Sequence, residues 1–259
     1  MTPPEVLVHH DADLLAKAIA ARLVTKLVDV QGAAGSASLV LTGGGIGTAV
    51  LDELAAAPAR DAVDWHRLDI WWGDERFLPS GDPGRNEAGA EQALLRHVDM
   101  DPPRVHRMPG TDGPDGADPE AAAARYASWL RGAARPEDHG PVPAFDVLLL
   151  GIGPEGHVAS LFPGMPALYD DRSVVAVRGA PKPPPTRLTL TLPSICSARD
   201  VWILAAGQEK AGAVRLALSD VGAVQVPAAG ARGRQRTLFL LDRAAAGRLP
   251  PQLSRIASP

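Results

Sequence analysis

The sequence predicts an α/β fold: a mainly parallel sheet with helices on both faces, Rossmann-like in its layering. Three observations carry this. Short apolar runs alternate along the chain with stretches of helical periodicity, the order that builds a parallel sheet. The run Phe145–Leu150 (FDVLLL) has no charge after Asp146, as a strand covered on both faces should. Glycine-rich loops directly follow two apolar runs, at Gly43 and at Gly151, where such sheets place their ligand crevice. No internal repeat and no clean linker divides the chain, so residues 1–259 are read as one α/β domain.

The elements follow in order. Residues 5–10 (EVLVHH) alternate and suit a short strand. Leu15, Ile19, Leu23 and Leu27 recur every four residues, which predicts a helix from Asp13 to Val30, ended by Gly32 and Gly35, with Asp13 and Lys17 as an exposed pair. A strand at 38–42, a helix over 48–57 and a strand at 67–72 come next, then a helix over 86–98. Trp71 and Trp72 point to opposite faces of their strand, and core packing explains at least one of them. Residues 99–118 hold too many breakers to be anything but loop. Asp118 and Pro119 open a helix through Ala134, in the preferred order of cap and first-turn proline. Strands are predicted at 145–150, 173–177, 187–191, 200–206 and 237–241, with a helix at about 208–218.

Composition removes several classes of function. The 259 residues contain one cysteine, so no internal disulfide forms and a reducing cytoplasm is the natural compartment. Net charge is −4 with no basic block, which argues against nucleic-acid and membrane partners. No window nears 18 unbroken apolar residues, and the N-terminus lacks the order of a secretion signal. The expected partner is a small molecule. The 26 glycines and 25 prolines are an excess that needs a use.

Four segments could supply that use. Thr42-Gly43-Gly44-Gly45-Ile46-Gly47 joins a strand to a helix, either as a cradle of N–H groups for phosphate or as a tight turn needing positive φ. Gly73-Asp74-Glu75-Arg76 could serve a site, although taken alone it reads rather as a solvated turn. Gly151-Ile152-Gly153-Pro154-Glu155-Gly156-His157 satisfies the dinucleotide pattern GxGxxG literally. Pro154 lacks a donor where a pyrophosphate would need one, the motif lies deep in the chain, and no strand ending in an acid, where a ribose-binding carboxylate would lie, follows about 20 residues on. That leaves a glycine loop presenting one imidazole, His157, or else a surface histidine. Pro181 to Pro185 stiffen a segment that holds Lys182 and Arg187 on an extended chain, which suits an anion or is an incidental connection. His9, His10, Asp11 and Asp13 resemble metal ligands in composition only, and no metal site is predicted. Cys196 reads as a small core residue.

Taken in order, these segments resemble the 6-phosphogluconolactonase family over about Glu5 to Gly247. Residues 151–164 (GIGPEGHVASLFPG) are similar to that family's signature G-x-G-x-D-G-H-x-x-S-L-F-P-G. Gly73–Arg76 with Asn86, residues 182–191 (KPPPTRLTLT) and residues 205–214 (AAGQEKAGAV) match further blocks. Two departures stand out: Glu155 replaces the usual Asp, and the first loop reads TGGGIG where many members carry serine or proline. The resemblance implies hydrolysis of a phosphorylated sugar lactone without metal or organic cofactor, on a fold shared with glucosamine-6-phosphate deaminase. It implies His157 as base, Glu155 or Asp74 to hold it, and Arg76 or N–H groups near Gly43–Gly45 for the oxyanion. Arg76, Lys182, Arg187 and Lys210 become candidate anion ligands, with Thr42, Gly43, Gly44, Gly45 and Asn86 lining the site. A monomer or small homo-oligomer is expected. Two alternatives stay in view. A deaminase of the same fold should carry a glutamate soon after the histidine, where this chain has VASLFPG. A non-catalytic sugar-phosphate sensor should carry a DNA-binding module.

Overall fold

The computed structural model describes residues 3–253 and 255–257. The chain runs β1 (Glu5–His9), α1 (Ala12–Ala34), β2 (Ala37–Leu41), α2 (Gly45–Ala56), β3 (Leu68–Trp72), β4 (Asp74–Arg76), α3 (Asn86–Ala93), α4 (Pro119–Ala133) and β5 (Val147–Gly151). It continues through β6 (Val174–Val177), β7 (Arg187–Leu190), α5 (Leu192–Ile195), β8 (Asp200–Ala205), α6 (Ala211–Ala217), α7 (Pro227–Gly230), β9 (Arg236–Asp242), α8 (Arg243–Ala246) and β10 (Arg255–Ile256). Seven strands form one parallel sheet in the order β10-β1-β9-β8-β5-β2-β3. Every residue of β8 is buried, so both faces of the sheet centre are covered. Leu39, Leu148, Ile203 and Phe239 on four adjacent strands are wholly inside.

Local chemistry explains the helices. Asp11 Oδ1 accepts the Leu14 N–H at 2.9 Å and starts α1, which buries Leu15, Ile19, Leu23 and Leu27 as their spacing predicts. The helix runs past Val30 to Ala34, because Gly32 is tolerated inside it and the left-handed turn comes only at Gly35. Asp118 accepts from Glu120 N and Ala121 N, with Pro119 in the first turn of α4. The helix predicted over 86–98 stops at Ala93 and gives way to a 3₁₀ turn at Leu95–His97. Residues 99–118 are loop apart from a 3₁₀ turn at Pro102–Arg104 and a bridge between Ile70 and Val105. The stretch predicted as a helix over 208–218 is a 3₁₀ turn, Gln208–Lys210, followed by α6. Trp71 and Trp72 are both buried. Asp11 is the cap of α1 and pairs with His10, which accounts for part of that N-terminal cluster.

One expectation needs correction. The strands at 173–177 and 187–191 do not join the parallel sheet. They form a second sheet, β4-β7-β6, whose pairs are antiparallel. The nine residues between β6 and β7 are too few for a parallel crossover, which takes a dozen or more, and they close a hairpin-like return instead. Gly73 is the junction between the sheets: its N–H donates to Leu41 O in β2, and its carbonyl accepts from Leu190 N at the end of β7. α4 packs against β6 and β7.

Candidate active site

Beyond the carboxyl ends of β2, β5 and β8 lies a cavity of about 250 Å³. The strand ends bring Thr42, Gly43 and Gly44 from the first glycine loop, Gly151, Gly153 and His157 from the end of β5 and the second loop, and Leu204 to Ala206 from the end of β8. The small sheet and its connections add Asp74, Arg76, Lys182 and Arg187, α3 adds Asn86, and the turn before α6 adds Lys210. Residues separated by up to 168 positions thus share one wall. Of the predicted site residues, Gly45 and Glu155 stand outside the lining; Gly45 opens α2 and Glu155 stands behind His157.

α2 begins at Gly45 rather than Thr48, because the glycine loop enters the helix directly. Gly44 is its cap, at φ +85°, and being glycine it makes no side-chain capping bond, so among the described residues the first N–H groups have no side-chain cap. That end faces the cavity and carries positive dipole. Thr42 Oγ1 accepts the Gly151 N–H at 3.2 Å and so ties the first loop to the second. Gly43 is required by close approach: a Cβ there would overlap the Asn86 amide.

His157 Nδ1 lies 2.9 Å from Glu155 Oε1, an ion-pair distance at an angle that is not that of a hydrogen bond. The imidazole packs on Phe162, with ring centroids 4.6 Å apart. A Cβ on Gly153 would strike the imidazole, so this glycine makes room for it. Burial holds the His157 pKa below its ordinary value. Glu155 pushes the other way, Lys182 lowers it further, and Asp74 raises it. The ring is therefore neutral at pH 7. Lys182 Nζ stands 3.3 Å from the same Glu155 oxygen. Burial pushes Glu155 up, but its own N–H, His157 and Lys182 bring it below the usual range.

Asp74 is buried. Its Oδ2 accepts from Ser160 Oγ at 2.7 Å and its Oδ1 from Asn86 Nδ2 at 3.3 Å, while Arg187 Nη1 stands 3.9 Å away. The Asn86 side chain also accepts from Arg76 Nη1 and donates to Asp74 O. The solvated-turn reading of Gly73–Arg76 is therefore overturned: Asp74–Arg76 form β4, pair with β7, and bury two carboxylates. The proline segment is not extended either. It curls so that Arg187 donates to the carbonyls of Lys182, Pro183 and Pro184, and it closes with Ala180 N on Pro185 O. Burial lowers Arg187 and Lys210 from their ordinary values, and neighbouring cations add to this. Cys196 is half-buried with its Sγ on Gly230 O, and burial pushes its thiol up.

Three contributors were not singled out from sequence. Ser160, fully buried, carries the bond to Asp74 and its N–H donates to Thr189 Oγ1. Phe162 seats both His157 and, at 5.9 Å, the Arg187 guanidinium. Glu75 stands behind the cavity wall. The first two lie in or beside matched blocks, so the motif was the available signal. Glu75 also lies in a matched block, Gly73–Arg76, but nothing local to it marks a buried carboxylate.

A doubly wound parallel sheet with a cation-lined pocket and one neutral histidine at its strand ends defines a class of enzymes and binding proteins for small anionic metabolites. The chain belongs to the glucosamine-6-phosphate isomerase/6-phosphogluconolactonase family, whose model matches residues 10–240. It is 60% identical over 256 residues to a 6-phosphogluconolactonase of Streptomyces coelicolor, covering 98% of both chains. It is 49% identical over 241 residues to the protein of that name from Mycobacterium tuberculosis, covering 93% of this chain and 96% of the other. Among solved structures, the 6-phosphogluconolactonase of Leishmania guyanensis superposes with a TM-score of 0.81 at 27% identity, over 96% of this chain and all of that one. A monomeric glucosamine-6-phosphate deaminase, 22% identical with a TM-score of 0.76 over 94% of this chain and 99% of that one, shares the fold. Among the described residues, no helix is long and apolar enough to cross a membrane.

Proposed function

We propose that the protein hydrolyses 6-phospho-D-glucono-1,5-lactone to 6-phosphogluconate, with water activated by His157. The observation that carries this is a neutral imidazole backed by Glu155 at the wall of a cavity that Arg76, Lys182, Arg187 and Lys210 also line. With Nδ1 turned to Glu155, the tautomer assigned by that pairing leaves Nε2 to take a proton. The substrate is an activated ester that hydrolyses slowly in water, so a covalent intermediate is unnecessary.

The water oxygen attacks the lactone carbonyl as His157 accepts its proton. Negative charge then develops on the carbonyl oxygen. The uncapped N–H groups opening α2, or Arg76, receive it. On collapse the bond from C1 to the ring oxygen breaks, and the His157 proton passes to that oxygen. Glu155 stabilises the imidazolium between the two transfers. Lys182, Arg187 and Lys210 hold the phosphate, which is bound alike in ground and transition states. Lys182→Ala should therefore raise KM about tenfold with kcat nearly unchanged. The reaction needs no metal or organic cofactor.

The same reading takes residues 1–259 as one lactonase domain, monomeric or a small homo-oligomer, serving the oxidative pentose phosphate pathway in the cytoplasm. The test supplies fresh lactone and follows 6-phosphogluconate through a coupled dehydrogenase, with glucosamine 6-phosphate assayed in parallel. Lactone hydrolysis well above the spontaneous rate is expected. Activity on glucosamine 6-phosphate alone would overturn the reading.

A further inference from the structure

Asp74 and Arg76 line the cavity, and Glu75 between them points the other way, as alternation along β4 demands. Its side chain is 1% exposed. One oxygen does two things there: Glu75 Oε1 accepts the backbone N–H of Arg76 at 2.8 Å and that of Asn86 at 2.6 Å. Oε2 accepts the Glu87 N–H at 2.9 Å. Arg76 and Asn86 are ten positions apart, and their side chains are bonded to each other in the cavity wall. The residue at the cap position of α3, Arg85, makes no side-chain capping bond, so a carboxyl from another strand caps this helix.

The support behind Glu75 is equally specific. Arg85 is buried, with Nε 2.9 Å from Glu87 Oε1 and 4.0 Å from Glu75 Oε2. Its guanidinium donates to the carbonyls of Arg76, Leu78 and Met108. Tyr126 of α4 and Arg187 of β7 also feel the Glu75 charge. Two carboxylates thus share one buried cation, an arrangement that costs desolvation and that an apolar filler would avoid.

We propose that Glu75 is a positioning residue: from behind the cavity wall its carboxyl fixes Arg76 and Asn86 as one unit, aiming the Arg76 guanidinium at the bound anion. The proposal rests on the reading of Arg76 as an anion ligand. Burial pushes the Glu75 carboxyl up to about 7, against the pull of Arg85 and the three N–H groups. The grip on Arg76 and Asn86 survives protonation, because a carbonyl oxygen still accepts both bonds.

The test is a double-mutant cycle on the full chain with Glu75→Met, which keeps length but has no oxygen acceptor, and Arg76→Ala. Glu75→Met should lower kcat/KM for the lactone at least tenfold, mainly through KM. In the Arg76→Ala background the same change should cost less than twofold. Glu75→Gln, which keeps an oxygen at the Oε1 position, should stay within threefold of wild type. Equal costs in both backgrounds would show structural damage alone and overturn the proposal. If Glu75→Met does not fold, a folded Glu75→Gln with a tenfold loss overturns it, and one near wild type supports it. A wild-type protein without lactonase activity would sink the functional reading instead. The cycle is then read by calorimetric binding of 6-phosphogluconate, with the same expected non-additivity.

Discussion

Replacing His157 by alanine should separate chemistry from folding in this protein. The imidazole packs on Phe162 on one side and faces the cavity on the other, so truncation removes one aromatic contact and leaves space open to solvent. Such a contact is worth about 0.5–1.5 kcal/mol, which for a chain of this size lowers Tm by roughly 1–6 °C. Loss of a general base costs about 10²–10⁴-fold in rate, or roughly 3–5 kcal/mol of barrier. Arg76, Lys182 and Arg187 remain, so KM should change little. The assay is the coupled appearance of 6-phosphogluconate with the spontaneous rate subtracted, alongside thermal unfolding of the same preparation. A variant with kcat within threefold of wild type would refute the argument, because among the described residues His157 is the one histidine lining the cavity. A raised KM at unchanged kcat would make His157 a binding group instead.

The pH profile gives a second check: activity should fall in acid with a midpoint below the ordinary histidine value, since burial lowers His157. Glu155→Gln removes the stronger of the two carboxylates that raise it and leaves the Lys182 charge that lowers it, so the limb should move to still lower pH; movement upward would contradict this electrostatic account. Gly43→Ala should drive Asn86 from its place against Arg76 and Asp74, cutting kcat/KM at least tenfold while circular dichroism stays native; an active variant would show that the close approach is dispensable. Ser160→Ala strands one oxygen of buried Asp74, a loss of about 2 kcal/mol that should lower Tm by roughly 4–8 °C; an unchanged Tm would show that water replaces the hydroxyl.

These variants probe one connected wall rather than separate residues. Ser160 is bonded to Asp74, Asp74 to Asn86, and Asn86 to Arg76, while Glu75 grips the last two from behind. The His157 loop reaches this wall through Ser160, three residues beyond the histidine. The glycine and proline excess finds its use here as well. Eight of the 26 glycines lie within Gly43–Gly47 and Gly151–Gly164, and four prolines flank Lys182.

Much of this protein was legible in its sequence. Apolar runs followed by glycine loops marked strand ends, and the order of those loops placed Thr42, Gly43 and His157 beside one crevice. Helical spacing named the buried face of α1 residue by residue. Periodicity reports which side of its own element a residue faces, and glycine reports where backbone must turn or come close. Neither reports which strand lies next to which. The second sheet, the curl of Pro181–Pro185 around Arg187, and the burial of Asp74 and Glu75 each depend on segments 86 or more positions apart or on a hairpin return that composition does not encode. A charged turn and a buried carboxyl pair have the same local sequence; only the tertiary structure, by removing water from Gly73–Arg76 and supplying Ser160, Asn86 and Arg85 as partners, decided between them.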